Sequence, residues 1–487
     1  MRQAITTVLA GLIMTCSGCS HPGIFIDPTP EYVQNQDLEY ATEMVESSRI
    51  GADLDALVAF GTRHTLSDTE SDTRGIGAAR RWLKQRFENA IAERNPEWPP
   101  ARVYFDRHTV PADGRRISEP TEIVNVVCEI SPLRIPIETE ADAEVELTDS
   151  SRVYIVAHYD SRATGANDAE SDAPGANDDG SGTAALLEIA RVLSQTYLVG
   201  NHTIVLMAVA GEEQGLYGAR AHAAAVSDDP NIVVVGVLSN DIIGDPTGPD
   251  GRLADDEVRV FSEGLPAELF ARGDRALSAV RFIRSLAIEN DSASRQLARY
   301  VEETYQFMES FDQKLPVRPR LIFRPDRFLR GGDHTAFNEV GIPAVRFTEV
   351  YENYDHQHQD VRVEDGVQYG DLPEYVDEDY VAGVAKLNLA TALRLAKAPL
   401  PPANVRVIVS GLTNDTTLRW DAVEGANGYE VLWRPTTAHN WTNSTRVGRN
   451  TTEATVPLSK DNWYFAVRSL GLFREPSLPS IPRPAGE

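Results

Sequence analysis

The chain has 487 residues, 42% of them hydrophobic, and 46 Lys and Arg against 73 Asp and Glu give it a formal net charge of −27. That length allows two to four domains and a full hydrophobic core, which excludes wholesale disorder. The acidic surplus repels phosphate, so no nucleic-acid partner is expected and no direct attraction to an anionic membrane; its plain reading is a solvated acidic surface.

Residues 1–19 carry a short positive region at Arg2, an apolar stretch over Ala4–Met14 that is too short to span a bilayer, and Ser17-Gly18 before Cys19. This resembles a bacterial lipoprotein signal, in which the Cys is acylated and becomes the mature N-terminus. Cys16 stands where that pattern prefers Leu, and simple secretion is the alternative. The expected address is outside the cytoplasm, with membrane contact only through the lipid anchor. The third cysteine, Cys128, lies in the apolar run Ile123–Cys128 and is expected to be a small buried hydrophobe. Three cysteines cannot form a disulfide framework, and none is placed for a Cys protease or a Cys-ligated zinc.

Residues 20–45 are polar, contain Pro28 and Pro30, and read as a tether. A helical pattern begins near Val45, and a second amphipathic helix follows Gly75 and ends near Ala92. Strands are expected at Arg102–Phe105, Ile123–Glu129 and Val153–Ala157, with the acidic stretch Glu138–Asp149 between the last two as a hairpin turn or loop. Then helices at Thr183–Thr196 and Ala219–Val226 alternate with β-branched strands at Thr203–Ala210 and Ile232–Leu238. Such alternation predicts an α/β domain, with a mixed, mostly parallel sheet flanked by helices. Residues 245–330, with a helix near Ser292–Met308, are expected to shield part of the site; a strand at Ala344–Thr348 and a helix at Tyr380–Ala396 close the domain. After Ala398-Pro399-Leu400-Pro401-Pro402 helix signals stop. Short alternating strands at Val405–Val409, Thr416–Trp420, Tyr429–Arg434, Ala454–Val456 and Trp463–Ser469 suit an all-β sandwich.

The chemistry-bearing residues gather where strands should end. His158-Tyr159-Asp160 leaves one strand, and a carboxylate two residues on can hold the imidazole nitrogen that faces away from a metal. A Gly-rich turn, Pro174–Gly182, carries Asp178 and Asp179 ahead of a helix; one of them could cap it, but a cap does not explain two adjacent acids. Glu212 and Glu213 follow Thr203–Ala210, and two adjacent Glu at a buried strand end repel unless a cation intervenes or one is protonated. Asp241 follows the next strand, and Glu349, His356, His358 and Asp360 follow Ala344–Thr348. Histidines mixed with acids at successive strand ends suit a two-zinc site better than calcium. No Gly-x-Ser-x-Gly elbow supports a serine triad.

The ordered set HYD, PGANDDGSG, GEEQGLYG, NDIIG, GGDHTAF and HQHQD resembles the zinc exopeptidases of peptidase family 28, of the bacterial leucyl-aminopeptidase type, over residues 46–398. The resemblance implies a zinc-exopeptidase fold, two zinc ions per chain and peptide substrates. His158 and Asp241 would hold one zinc and Glu213 the other, while Asp178 would bridge both, joined to Asp179 by a cis peptide. The last His ligand of the family lies four residues before an Asp, which picks His356 with Asp360, and leaves His358 as rival. Glu212 would be the general base toward a metal-bridging water. Asp160 would orient His158, and Asp333-His334 would lie on the substrate side. An aminopeptidase is favoured over a carboxypeptidase. The alternatives are a non-catalytic peptide- or protein-binding ectodomain on the same fold and an aminoacyltransferase of the glutaminyl-cyclase type. Residues 403–484 resemble a fibronectin type III module, with Trp420 in its core and Leu458 and Tyr464 at a tyrosine corner.

Overall fold

The computed structural model describes residues 30–134, 150–265, 274–311, 313–410 and 413–485. The signal stretch 1–19 and the acidic stretch 138–149 lie outside them. Among the described residues no helix is long and apolar enough to cross a membrane.

The stretch read as a tether differs from expectation: α1 spans Pro30–Glu43. Leu38, Ala41 and Val45 recur at helical spacing and are buried in the main core, so apolar contact outweighs the polar composition that suggested a linker. Helices α2 (Ser47–Val58) and α3 (Gly75–Ala92) follow where the periodicity placed them.

The strands β1 (Ala101–Val110), β2 (Thr121–Ile130), β3 (Ser151–His158), β4 (Thr203–Val209), β5 (Val233–Asn240), β6 (Glu257–Ser262), β7 (Arg318–Ile322) and β8 (Ala344–Thr348) form one sheet in the order β1-β2-β4-β3-β5-β8-β6-β7. Its centre, β4-β3-β5-β8, is parallel, and β1 and β2 extend it antiparallel on one side. On the other, β6 runs antiparallel to β8, and β7 parallel to β6. The central strands are buried along nearly their whole length, as a sheet covered on both faces requires. Cys128 is fully buried in β2, and burial pushes its thiol up to about 12.

One face is covered by α2, α3, α4 (Gly182–Gln195) and α9 (Glu378–Lys397), the other by α5 (Tyr217–Asp228) and α8 (Asp333–Glu339). Two further helices, α6 (Asp274–Leu286) and α7 (Ala293–Glu309), precede β7, and the hairpin β9 (Arg362–Glu364) and β10 (Val367–Tyr369) precedes α9. The C-terminal part is all-β. The sheet β15-β12-β11-β17 (Glu453–Val456, Thr416–Arg419, Arg406–Val407, Arg483–Pro484) faces the sheet β14-β13-β16 (Asn443–Gly448, Gly428–Pro435, Trp463–Leu470) across a core that includes Trp420, Tyr429 and Val467. The Tyr464 hydroxyl, expected at a tyrosine corner, instead donates to the Ala287 carbonyl beyond α6 at 2.8 Å.

Candidate metal centre

The carboxyl ends of β3, β4, β5 and β8 converge at one edge of the parallel centre, where an α/β sheet offers its ligand crevice. His158 is the last residue of β3, Glu212 and Glu213 follow β4, and Asp241 follows β5. The turn Ala176–Ser181 before α4 brings in Asp178, joined to Asp179 by a cis peptide.

Two groups of donors share Asp178. His158 Nε2 lies 3.1 Å from Asp178 Oδ1 and 3.8 Å from Asp241 Oδ1. The other oxygen, Asp178 Oδ2, lies 2.8 Å from His358 Nε2, which is 3.0 Å from Glu213 Oε1. Within each trio the donor atoms lie within 4.8 Å of one another. His158 Nε2 and Glu213 Oε1 are buried without an aligned hydrogen-bond partner, a costly state that a cation between the donors relieves. Imidazole and carboxylate donors of this kind fit zinc.

The histidine of the second trio is His358, and His356, expected there, lies in neither trio. Residues 353–357 turn back through bonds from the His356 and Gln357 amides to the Asn353 carbonyl, and His358 then takes a left-handed φ of 54°. That reversal aims its ring at Asp178, while His356 stacks on Tyr375 with ring centres 3.6 Å apart and lies 3.5 Å from Asp245. Asp360, whose spacing had favoured His356, is exposed and exchanges hydrogen bonds with Thr164.

The remaining expected residues have definite places. The His158 Nδ1–H donates to the Asp160 backbone carbonyl at 3.0 Å, while the Asp160 carboxylate is 3.6 Å away. That carboxylate instead accepts the Glu212 and Glu213 amides and the Thr65 hydroxyl. Asp160 therefore positions both the imidazole and the Glu pair, the first through its main chain. Asp179 accepts the amides of His158, Gly182 and Ile242, so it ties the turn to β3 and β5. Asp333 and His334 open α8, both buried, and His334 Nε2–H donates to the Pro325 carbonyl. A Cβ on the preceding Gly332 would sit 2.8 Å from an Arg346 nitrogen and 3.2 Å from Asp241 Oδ2, so a larger residue there would press on the Arg346–Asp241 pair.

Burial and neighbouring charge set the protonation states. Burial drives the Glu212 carboxyl well above the usual range, reinforced by the charges of Asp241 and Glu213. Burial also lifts Asp333 to about 7, with Asp160 and Asp241 adding to it. For Asp178 burial acts upward, but His358 and His158 overcome it and hold the group well below the usual carboxylate range.

Four further residues of this shell lie outside the motifs of the sequence. Arg63, fully buried, donates to the carbonyls of Tyr159, Pro174 and Gly175 and so staples the HYD loop to the Gly-rich turn. Asp371 accepts the Asn177 and Asp178 amides at 2.8 and 2.7 Å. Arg162 pairs with Glu213 at 3.1 Å, and Arg346 with Asp241 at 2.9 Å. Arg346 had a usable signal, a charge in the middle of the apolar strand Ala344–Thr348, because a buried charge needs a partner.

The profile of peptidase family M28 matches residues 140–257. A probable zinc metalloprotease of Leptosphaeria maculans is 41% identical over 462 residues, covering 94% of this chain and 99% of that relative. Another, of Pyricularia oryzae, is 42% identical over 485 residues, covering 97% of this chain and 90% of the relative. Among solved structures, the LapA aminopeptidase of Legionella pneumophila aligns with a TM-score of 0.48 and 20% identity over 74% of this chain and 75% of that one.

Proposed function

Since the chain belongs to peptidase family M28 and is similar along nearly its whole length to probable zinc metalloproteases, we propose that it is a two-zinc exopeptidase that removes residues from the free amino end of peptides. The observation that carries this reading is the division of Asp178 between two donor trios, one oxygen toward His158 and Asp241 and the other toward His358 and Glu213. His158 and Asp241 would hold one zinc, Glu213 and His358 the second, and Asp178 both. When bound, zinc supplies Lewis acidity, which polarises a carbonyl and acidifies water.

Glu212 is the base in this reading. It neighbours the ligand Glu213, and its main chain is fixed by Asp160. Burial raises its proton affinity, which suits a group that takes a proton from the attacking water and passes it to the leaving amine. The free amino terminus of a substrate would find Glu212 and Asp333, which have no ion-pair partner among the described residues and which a nearby cation would help to ionise, whereas Arg162 and Arg346 are already paired with acids. That asymmetry favours a terminal ammonium over a terminal carboxylate. The stretch 1–19 supports export and a lipid anchor at Cys19, and the sandwich would act as a fibronectin type III-like module without chemistry of its own.

The test is a panel of free and N-blocked peptides assayed with the zinc-loaded chain and with Glu212→Gln. The expected result is release of N-terminal residues from free peptides alone, and a loss of about 10²- to 10⁴-fold in kcat in the variant at unchanged zinc content. Cleavage of blocked peptides from the carboxyl end would overturn the amino-end reading; cyclisation of N-terminal Gln without hydrolysis would make the chain an aminoacyltransferase. Full activity of Glu212→Gln would remove Glu212 as base.

A further inference from the structure

A second cluster of metal-type donors lies on the sheet at its β1 edge, apart from the strand ends. Asp106 and His108 are two residues apart on β1, so both point to the same face. His222 comes down on that face from α5. His108 Nε2 is 2.8 Å and His222 Nδ1 is 2.9 Å from the same oxygen, Asp106 Oδ2, and the three donor atoms lie within 4.8 Å of one another. The side chains are 18%, 20% and 6% exposed for Asp106, His108 and His222 respectively, so the cluster is walled on the protein side and open to water on the other.

We propose that Asp106, His108 and His222 form a metal site separate from the strand-end centre, taking a zinc-type divalent ion with two imidazoles, one carboxylate and a solvent position. Two histidines and one carboxylate with an open fourth position is a donor set that zinc accepts, with bonds of about 2.0–2.2 Å. Tetrahedral donors at that radius stand about 3.3–3.6 Å apart, so the observed contacts of 2.8 and 2.9 Å need to open by about half an ångström. His108 is on a partly exposed edge strand and can supply that movement.

The surroundings prepare the donors. His222 Nε2, the nitrogen facing away from the cluster, is 3.1 Å from the Tyr154 hydroxyl. A hydroxyl can donate to a bare ring nitrogen or accept from a protonated one, so the tautomer that frees Nδ1 for a metal leaves no buried polar atom unpaired. The imidazole ring is wedged against Tyr154 and Phe337 at centroid distances of 5.5 and 6.4 Å. The Asn125 amide donates to Asp106 Oδ2 at 3.0 Å. Burial acts upward on Asp106, but its two imidazole neighbours overcome it and keep the carboxylate ionised. These outer contacts are the kind that orient metal ligands.

The site has a mechanical consequence. Asn125 also accepts the Ala210 amide at 3.1 Å and donates to the Gly218 carbonyl at 3.2 Å, so it grips both ends of the loop that carries Glu212 and Glu213. A metal joining β1 to α5 would brace that loop from behind, through Asp106 and Asn125, without touching the substrate.

The test compares the full chain with His108→Ala and with Asp106→Asn. Each is stripped with chelator, dialysed against zinc alone and assayed for bound zinc by atomic emission. The wild-type chain is expected to retain one zinc per chain more than either variant, and to gain more in Tm when zinc is restored. Equal zinc content in all three chains overturns the site and leaves a hydrogen-bonded His–Asp–His cluster. Should His108→Ala fail to fold, Asp106→Asn decides, since it preserves the side chain's size. The difference between chains is independent of how many ions the strand-end centre holds.

Discussion

His358 stands next to Gln357, whose amide nitrogen donates to Asp178 Oδ2 at 3.1 Å, and the chain places the two side chains on the same carboxylate. Burial opposes the charged imidazole, yet Glu213 and Asp178 push His358 up to about 10, a measure of how much negative potential converges there. Removing this imidazole leaves Asp178 and Glu213 facing each other, the first balanced by His158 and the second by Arg162, with nothing positive between them. His358→Ala is therefore expected to weaken zinc binding by about 100-fold or more, beyond what the loss of an outer contact costs, and to abolish activity at limiting zinc. His356→Ala loses a stacking contact with Tyr375 and is expected to keep its zinc. Equilibrium dialysis of both variants against zinc checks the pair; the reverse order would restore His356 as the ligand. The acids at the strand ends were legible because a charged pair after an apolar strand has few stable explanations. The choice between the two histidines was not, because it depends on a left-handed residue that no spacing rule encodes. Asp371 and Arg63 were silent for a related reason: they act on main-chain groups of the Gly-rich turn, brought close only by the fold.

Elements with one clear period were read to within a few residues, from α3 to the buried strands β3 and β4. Those that failed mix signals. β7, at the sheet edge, and its neighbour β6 interleave charged with apolar residues, and their charges pair across the two strands through Arg318, Arg320 and Glu257. A polar composition there hides a strand. The same masking affected α1, where a run of Glu, Gln and Asn obscures the buried Leu38 and Ala41. Helix α1 meets α9, and Lys397 on α9 lies 3.1 Å from Asp37; farther on, Arg191 on α4 pairs with Glu188 and reaches Glu46. Leu38→Ala is expected to cost about 2–5 kcal/mol, the range for a buried leucine truncated to alanine, read as a lower midpoint in urea with an unchanged slope. A true tether would show a change within about 0.5 kcal/mol.

The catalytic part and the sandwich meet through buried polar contacts, unlike two modules on a loose string. Asp291, just ahead of α7, accepts both oxygens' worth of bonds from Arg434 at 2.8 Å each and a further one from Arg299 at 3.1 Å. Trp441 donates to Gln296 at 3.0 Å, and Arg468 pairs with Glu303 at 2.7 Å. Removing one partner of such a buried network strands the other charges, a loss of about 3–5 kcal/mol. Asp291→Ala is expected to split a single calorimetric transition into two, with the sandwich released first; one unshifted transition would show the docking to be weak.

Acid should act on the whole molecule through another buried joint. His202, just ahead of β4, sits under the end of α9, where its amide donates to the Ala396 carbonyl at 3.0 Å. Burial, and then the charge of Arg134, lower its imidazole from 6.5 to about 4. Above pH 6.5 the ring is neutral both folded and unfolded, so it contributes nothing to the pH dependence. Between pH 6.5 and 4 the unfolded chain takes up a proton that the folded chain refuses, and stability falls as pH falls. The full difference, at about 1.4 kcal/mol per pH unit, is about 3 kcal/mol by pH 4, below which the folded imidazole also protonates and the loss stops growing. His202→Gln removes the titration but retains a polar side chain near Ser151. Denaturation midpoints taken from pH 7 to pH 4 should therefore fall more steeply for the wild-type chain than for His202→Gln, with the two curves approaching or crossing near pH 4. Parallel curves would mean that His202 protonates in the folded state as freely as in water, and that the joint between β4 and α9 admits solvent.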